Sequence, residues 1–101
     1  KPHGVRSLDA IPTPLHVTPP IYPREWIDQG VRGNATVDFY IDETGTVRMP
    51  SIVASDHPLL GAAAAAAVSE WRFDPPLRRG RPVLVHCQQV ISFQPEEQTQ
   101  Q

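Results

Sequence analysis

The sequence has little of several features that usually reveal a protein's class. It contains one cysteine, so no internal disulfide can stabilise the fold. Its 9 Lys and Arg residues against 11 Asp and Glu residues give a net charge of −2, without the basic excess of nucleic-acid-binding proteins. No apolar run approaches the roughly 20 residues that span a bilayer. We therefore expect no nucleic-acid partner and, at 101 residues, a single small domain.

The residue patterns of catalytic and metal sites are also missing. The four histidines are scattered, and none pairs with the cysteine at the spacing of metal ligands. Asp42 and Glu43 fall in a predicted hairpin turn, where carboxylates usually accept hydrogen bonds from the turn's own amides. Cys87 falls on the inward face of a predicted strand, which favours an inert thiol. We therefore expect no enzyme, no metal and no cofactor.

Proline is abundant instead, with 12 residues that crowd the first quarter of the chain. Because proline fixes φ and restricts the residue before it, the sequence predicts an extended proline-rich arm over residues 1–21. Composition leaves open whether this arm is docked or free. The chain starts with Lys1 and shows no signal peptide, so we expect a piece of a longer protein.

Hydrophobic periodicity predicts a folded part over residues 22–94, followed by a flexible polar tail over 95–101. The expected fold class is α+β: a small two-layer domain with an antiparallel three-stranded sheet packed against two helices, in the order α-β-β-α-β. Pro50 predicts a bulge or an edge in the second strand. The predicted elements are a helix over 22–30, strands over 34–42 and 46–55, an alanine-rich helix over 59–73 and a closing strand over 82–94.

Two surface features are candidates for partner binding. The closing strand is the longest clear strand pattern, and an uncovered strand edge can accept a further strand. The alternative is that the arm or a second copy of the chain covers this edge. A basic loop carrying Arg78, Arg79 and Arg81 is either a solvated surface or a patch that steers an acidic partner segment.

Several short patterns, taken in order, resemble the C-terminal domain of TonB-type energy transducers. The resemblance covers roughly residues 8–94. It is carried by Pro20, Tyr22 and Pro23, by Gly30 and Gly33, by the strand–turn–strand pattern around Asp42 and Gly45, by the alanine-rich helix followed by Trp71, Arg72, Phe73 and Pro75, and by Gly80, Pro82, Val83, Ile91 and Phe93 near the end.

The resemblance implies a periplasmic domain, tethered to the bacterial inner membrane by a segment absent from this chain. It implies that inner-membrane motor proteins act through those missing N-terminal parts, so that proton-motive force drives uptake. The domain would grip the N-terminal segment of an outer-membrane β-barrel transporter by adding it as a strand beside its own last strand. The implied binding residues are Val83, Leu84, Val85, His86, Cys87, Gln88 and Gln89. Further expected contacts are Pro19, Pro20, Ile21, Tyr22, Arg78, Arg79 and Arg81.

Two other readings stay open at this stage. The same fold can serve as a docking or sensing module fused to another envelope protein. It can also serve as a structural dimerisation domain, a possible homodimer in which the last strand pairs with its own copy.

Overall fold

A computed structural model describes residues 2–95 of the chain. Apart from Pro95, the predicted tail lies outside the described residues. The helices are α1 (Arg24–Asp28) and α2 (Pro58–Val68), and a 3-10 turn spans Val5–Ser7. The strands are β1 (His3–Gly4), β2 (Pro14–His16), β3 (Gly33–Ile41), β4 (Val47–Ser55), β5 (Arg72–Phe73), β6 (Leu77–Arg78), β7 (Arg81–Pro82) and β8 (Val85–Phe93).

The main sheet of the described chain has four strands in the order β1-β8-β3-β4. The strands β4, β3 and β8 are antiparallel, as the sequence predicted, and α1 and α2 take their expected places in the chain order. The prediction of a three-stranded, wholly antiparallel sheet was wrong, because β1 of the arm joins β8 in parallel. Two short antiparallel pairs, β2 with β5 and β6 with β7, also went unpredicted.

The second helix is shorter than its alanine-rich sequence predicted. It begins after His57, whose Nδ1 accepts a hydrogen bond from the Leu59 amide at 3.1 Å, and it ends at Val68 rather than Phe73. The segment that follows is instead extended as β5. Its Phe73 amide donates to the Gly45 carbonyl at 3.0 Å, a tertiary hydrogen bond that outweighs local helix propensity.

One face of the sheet forms the core beneath α2. The helix lies over β3 and β4, and its buried side includes Leu60, Ala64 and Val68. Gly61 lets the helix approach closely, because a side chain there would meet Ser55 and Ile52 of β4. Because α2 lies over β3 and β4, other parts of the chain cover the β8 half of this face.

The arm supplies part of that cover and is docked at several points between His3 and Thr18. The His3 amide donates to the Leu84 carbonyl at 3.0 Å, and the Asp74 amide donates to the Thr13 carbonyl at 2.9 Å. The Trp71 indole Nε1–H donates to the Thr18 carbonyl at 2.9 Å. Backbone contacts at separate points thus fix an arm whose own composition favours extended backbone.

Candidate functional site

The far edge of β8 carries unpaired main-chain groups. The strand pairs with β3 without a register shift, from Val85 opposite Ile41 to Phe93 opposite Gly33. Backbone groups alternate in direction along a strand, and the Leu84 carbonyl faces away from β3 towards β1. The same alternation points the N–H and C=O groups of Gln88, Val90 and Ser92 away from β3, along an edge that no other described strand covers.

The start of this edge is covered by the arm. β1 aligns His3 with Val85 and Gly4 with His86 in a parallel pairing. The sequence placed the partner edge at Val83–Gln89, so its first half is occupied within the chain itself. The open stretch runs from Cys87 to Phe93.

A side chain of β8 partly shields the open edge. The Gln89 side-chain amide donates to the Val90 carbonyl at 3.1 Å. This hydrogen bond satisfies an outward-facing carbonyl that would otherwise meet only water. An added strand would replace it with a main-chain hydrogen bond.

An apolar groove of about 480 Å³ lies beside Cys87, Gln88 and Gln89. We call it the arm groove, because the arm forms one of its walls. The arm side is lined by Val5, Ile11, Pro12, Pro14 and Val17. The other side is lined by Phe39, Ile41, Trp71 and Phe73. An open strand edge therefore adjoins a concave apolar surface that alternate side chains of an added strand can enter.

Aromatic contacts fix the floor of the arm groove. Trp71 packs edge-on against Phe39, with ring centroids 6.2 Å apart, and against Phe73 at 6.4 Å. Its indole hydrogen bond to Thr18 joins this floor to the arm. The sequence assigned Trp71 to a helix, but the residue lies beyond the end of α2 and lines the groove.

Cys87 lies half-buried at the edge of the groove. Burial, aided by the negative charge of Asp38, raises the pKa of its thiol to about 11. The thiol therefore stays protonated at neutral pH, as the sequence-based expectation of an inert cysteine requires. The protonated thiol contributes a small apolar surface to the arm groove.

The outward face of β8 carries a polar cluster. Asp38 Oδ1 of β3 lies 2.7 Å from His86 Nε2 and accepts a hydrogen bond from the side-chain Nε2 of Gln88 at 3.2 Å. The hydrogen bond with His86 is the main reason that the pKa of Asp38 is lowered. These contacts hold the side chains of His86 and Gln88, two of the expected binding residues, on the outward face of the sheet.

The family assignment follows from residues 18–95, which match the family described as Gram-negative bacterial TonB protein C-terminal. The chain belongs to this family. No curated protein matches this chain. Among solved structures, it is similar to the solution NMR structure of the Pseudomonas aeruginosa TonB C-terminal domain, with 26% sequence identity and a TM-score of 0.74. That similarity covers 90% of this chain and 93% of the other.

Membership confirms the resemblance drawn from the ordered sequence patterns, and the TonB C-terminal fold confirms the small α+β architecture with its two helices. The matched residues begin at position 18. The arm residues that line the groove precede that position. Sequence reasoning did not assign them to a site either, although Val5 and Ile11 stand out as isolated apolar residues among the prolines.

The segment before α1, which the sequence offered as a further partner contact, lies partly against α2 and partly against the end of β8 in this TonB domain. Pro19 and Ile21 line a shallow hollow against α2, and no residue of β8 borders that hollow. Tyr22 has a structural role, because its hydroxyl donates to the Val31 carbonyl at 2.7 Å and its ring packs edge-on against Phe93. Pro20 is half-buried.

The basic segment is an ordered hairpin rather than a loop. β6 and β7 pair Leu77 with Pro82 and Arg78 with Arg81, around a turn in which Arg79 and Gly80 both have positive φ. Asp9 of the arm holds this turn, with Oδ1 accepting from the Arg79 amide at 2.7 Å and Oδ2 from the Gly80 amide at 2.9 Å. The role of Asp9 was not predictable from the sequence, since its partners are about 70 positions away.

Over residues 2–95, no cluster of His, Cys, Asp and Glu side chains has the arrangement of a metal site. Within the same range, neither helix has the length and apolar character that crossing a membrane requires.

Proposed function

We propose that this TonB C-terminal domain binds the N-terminal segment of an outer-membrane transporter as an added strand on the open edge of β8. The observation that carries the proposal is the run of outward-facing main-chain groups at Gln88, Val90 and Ser92, which borders an apolar groove. Family membership supports the kind of partner, since TonB C-terminal domains bind outer-membrane transporters. The proposed role is non-catalytic.

Strand addition suits a coupling that must carry load and then release. Each main-chain hydrogen bond contributes only about 0.5–1.5 kcal/mol net, so a few of them form a reversible link. Several bonds along one strand share a pull between them. Alternate side chains of the partner enter the arm groove, which adds preference for small apolar residues at every second position.

We further propose that the domain works in the periplasm and is tethered to the inner membrane by a part of the protein outside this chain. Motor proteins of that membrane act on the tether, and the bound strand transmits their pull to the transporter. The Gram-negative family supports the periplasmic location. A docking or sensing module fused to another envelope protein would use the same edge without transmitting a pull.

Isotope-labelled protein, titrated with synthetic transporter segments and followed by NMR, tests the proposal. We expect amide shifts concentrated on Cys87–Phe93, extending to Val85 and His86 where β1 is displaced. N-methylation of alternate peptide amides provides the sharpest control. Methyl groups on the amides that face β8 should abolish binding, whereas methyl groups on the intervening amides should leave it intact.

Scrambled peptides and the variant Val90→Pro complete the test. Val90 directs its amide to the open edge, so proline there removes a docking donor but no hydrogen bond to β3. Absence of shifts at millimolar peptide would reject strand addition, as would equal effects of both methylation patterns. If light scattering then showed a concentration-dependent dimer, the open edge would be assigned to a second copy of the chain.

A further inference from the structure

The β6–β7 hairpin presents a concentrated positive charge in a weakly acidic protein. Arg78, Arg79 and Arg81 lie within four consecutive positions, while the whole chain has a formal net charge of −2. The salt bridges of the described residues involve other basic side chains: Arg24, Arg48 and His86. Among residues 2–95, the hairpin guanidinium groups therefore form no salt bridge and are available to solvent or to a partner.

Asp9 fixes the backbone of this hairpin without forming a salt bridge to its arginines, although its negative charge acts on Arg78. Both of its carboxylate oxygens accept from main-chain amides of the turn, those of Arg79 and Gly80. Those hydrogen bonds hold the pKa of Asp9 below its usual range, so the clasp is intact at neutral pH. The hairpin backbone is therefore fixed while its arginine side chains remain available.

The hairpin precedes the part of β8 that β1 covers, and four residues separate Pro82 from the start of the open edge at Cys87. The chain runs directly from β7 through Val83 into β8, and the Val83 amide donates to the Pro76 carbonyl at 2.9 Å. A surface hollow beside it is lined by His3, Val83 and the hairpin arginines. An added strand opposite Gln88 would reach the level of Pro82 after about six further residues, or roughly 20 Å of extended chain.

We propose that this hairpin binds acidic side chains that lie about six residues from the part of the transporter segment that pairs with β8. The inference rests on the strand addition proposed above, and it specifies acidic residues beside the paired part of the transporter segment. Guanidinium groups suit carboxylates because their planar donors match two carboxylate oxygens. The charge also steers the approach of an acidic segment, an effect that falls as salt rises.

The position of the acidic residues also reports strand direction. A strand parallel to β8 places its N-terminal side at the hairpin, whereas an antiparallel strand places its C-terminal side there. Two peptide series, with the acidic extension on either side of one core sequence, separate these cases. Only one series should gain affinity.

The test compares two double charge reversals in the full chain. Arg79→Glu with Arg81→Glu alters the hairpin, and Arg24→Glu with Arg32→Glu makes the same charge change on exposed residues elsewhere. Each is titrated at low salt with a core peptide that carries either a Glu-rich or a Gln-rich extension. Far-ultraviolet circular dichroism verifies that both variants are folded.

We expect the Glu-rich extension to tighten binding of the unaltered domain about three- to tenfold, the range for a few exposed ion pairs. The hairpin variant should lose this gain and the control variant should keep it, while Gln-rich peptides bind all three proteins equally. Equal gains in both variants would overturn the role of the hairpin and leave strand addition intact. Loss of all shifts on β8 with every peptide would overturn both.

A membrane surface is the competing anionic partner. Vesicles of phosphatidylcholine with phosphatidylglycerol, and of phosphatidylcholine alone, test it by co-sedimentation. If the hairpin variant lost binding to the anionic vesicles but bound the Glu-rich peptide normally, the hairpin would be a lipid-binding surface and the inference would be wrong.

Discussion

Gly45 shows how one residue connects the β3–β4 turn to the floor of the arm groove. It has φ of 86° and accepts a hydrogen bond from the Phe73 amide. A Cβ at this position would overlap the Phe73 carbonyl. Glycine therefore serves two needs here, the turn conformation and a close approach to β5.

Gly45→Ala is expected to destabilise the domain by about 2–4 kcal/mol, since a left-handed conformation costs about 1–2 kcal/mol and the steric overlap adds to it. Gly30→Ala is the matched control, because Gly30 has φ of 77° but open space around it. The Gly30→Ala variant should lose only the part of the free energy of unfolding that the left-handed conformation costs. Urea unfolding measures both, and equal losses would show that the Phe73 contact is unimportant.

The Asp42 carboxylate makes the stability of the β3–β4 turn depend on pH. Burial raises the pKa of its carboxyl, but hydrogen bonds from Thr44, from Arg48 and from the Thr46 amide outweigh that effect and leave the pKa well below its usual range. A carboxylate that is harder to protonate when folded stabilises the fold above its unfolded pKa, and this contribution is lost as pH falls through the folded value. The β3–β4 turn is therefore more stable at neutral pH than in acid.

Asp42→Asn should lower the free energy of unfolding by roughly 1–3 kcal/mol at neutral pH, the range for hydrogen bonds to a charged group. The difference from the unaltered domain should narrow as pH falls below about 4. Urea midpoints measured across this range test it. Glu43→Gln removes the same charge from an exposed neighbour and should have little effect; a pH-independent gap for Asp42→Asn would contradict the argument.

At the scale of elements, β1 competes with any partner for the start of β8. It is two residues long, so few hydrogen bonds hold it. The Asp9 clasp lies further along the arm and does not depend on it. The arm can therefore yield the edge while keeping its wall of the groove.

Deletion of residues 1–4 is expected to tighten binding of a transporter segment about two- to tenfold, because the segment no longer displaces β1. Deletion of residues 1–2 alone keeps β1 and should leave affinity unchanged. Calorimetric titration measures both. Weaker binding by the shorter domain would mean that β1 contributes to the site instead of covering it.

The antiparallel elements were predictable from sequence because each depends on its own pattern. The alternation in β3 and in β8 indicates one buried face, and Pro50 correctly indicates a bulge near Met49, where β4 shifts register. The pairings of the arm were not predictable, because distant partners such as Leu84 and Trp71 decide them. The edge was therefore predicted from the sequence, and its cover by the arm was one of the alternatives left open, whereas the groove was not predicted.

For the molecule as a whole, the sheet has a second edge, that of β4, which could also pair with a further strand unless something prevents it. β4 exposes Met49, Ile52 and Val53 along this edge. Pro50 offers no N–H, and Met49 with φ of 53° breaks the strand geometry beside it. We infer that this irregularity directs strand addition to β8.

Pro50→Thr should restore a donor on the β4 edge and promote self-association. Light scattering across a concentration series should show an apparent mass that rises towards that of a dimer, while the unaltered domain stays monomeric. Pro75→Thr, at an exposed position between strands, is the control. A Pro50→Thr variant that remains monomeric at all concentrations would show that Pro50 does not prevent pairing at the β4 edge.

The alternating direction of the β8 backbone should be visible in isotope exchange with heavy water. Amides of Cys87, Gln89 and Ile91 face β3 and should retain their protons, whereas those of Gln88, Val90 and Ser92 face the open edge and should take up deuterium quickly. A single strand would thus show protection with a period of two residues. Occupation of the edge would erase that period and give one continuous protected run.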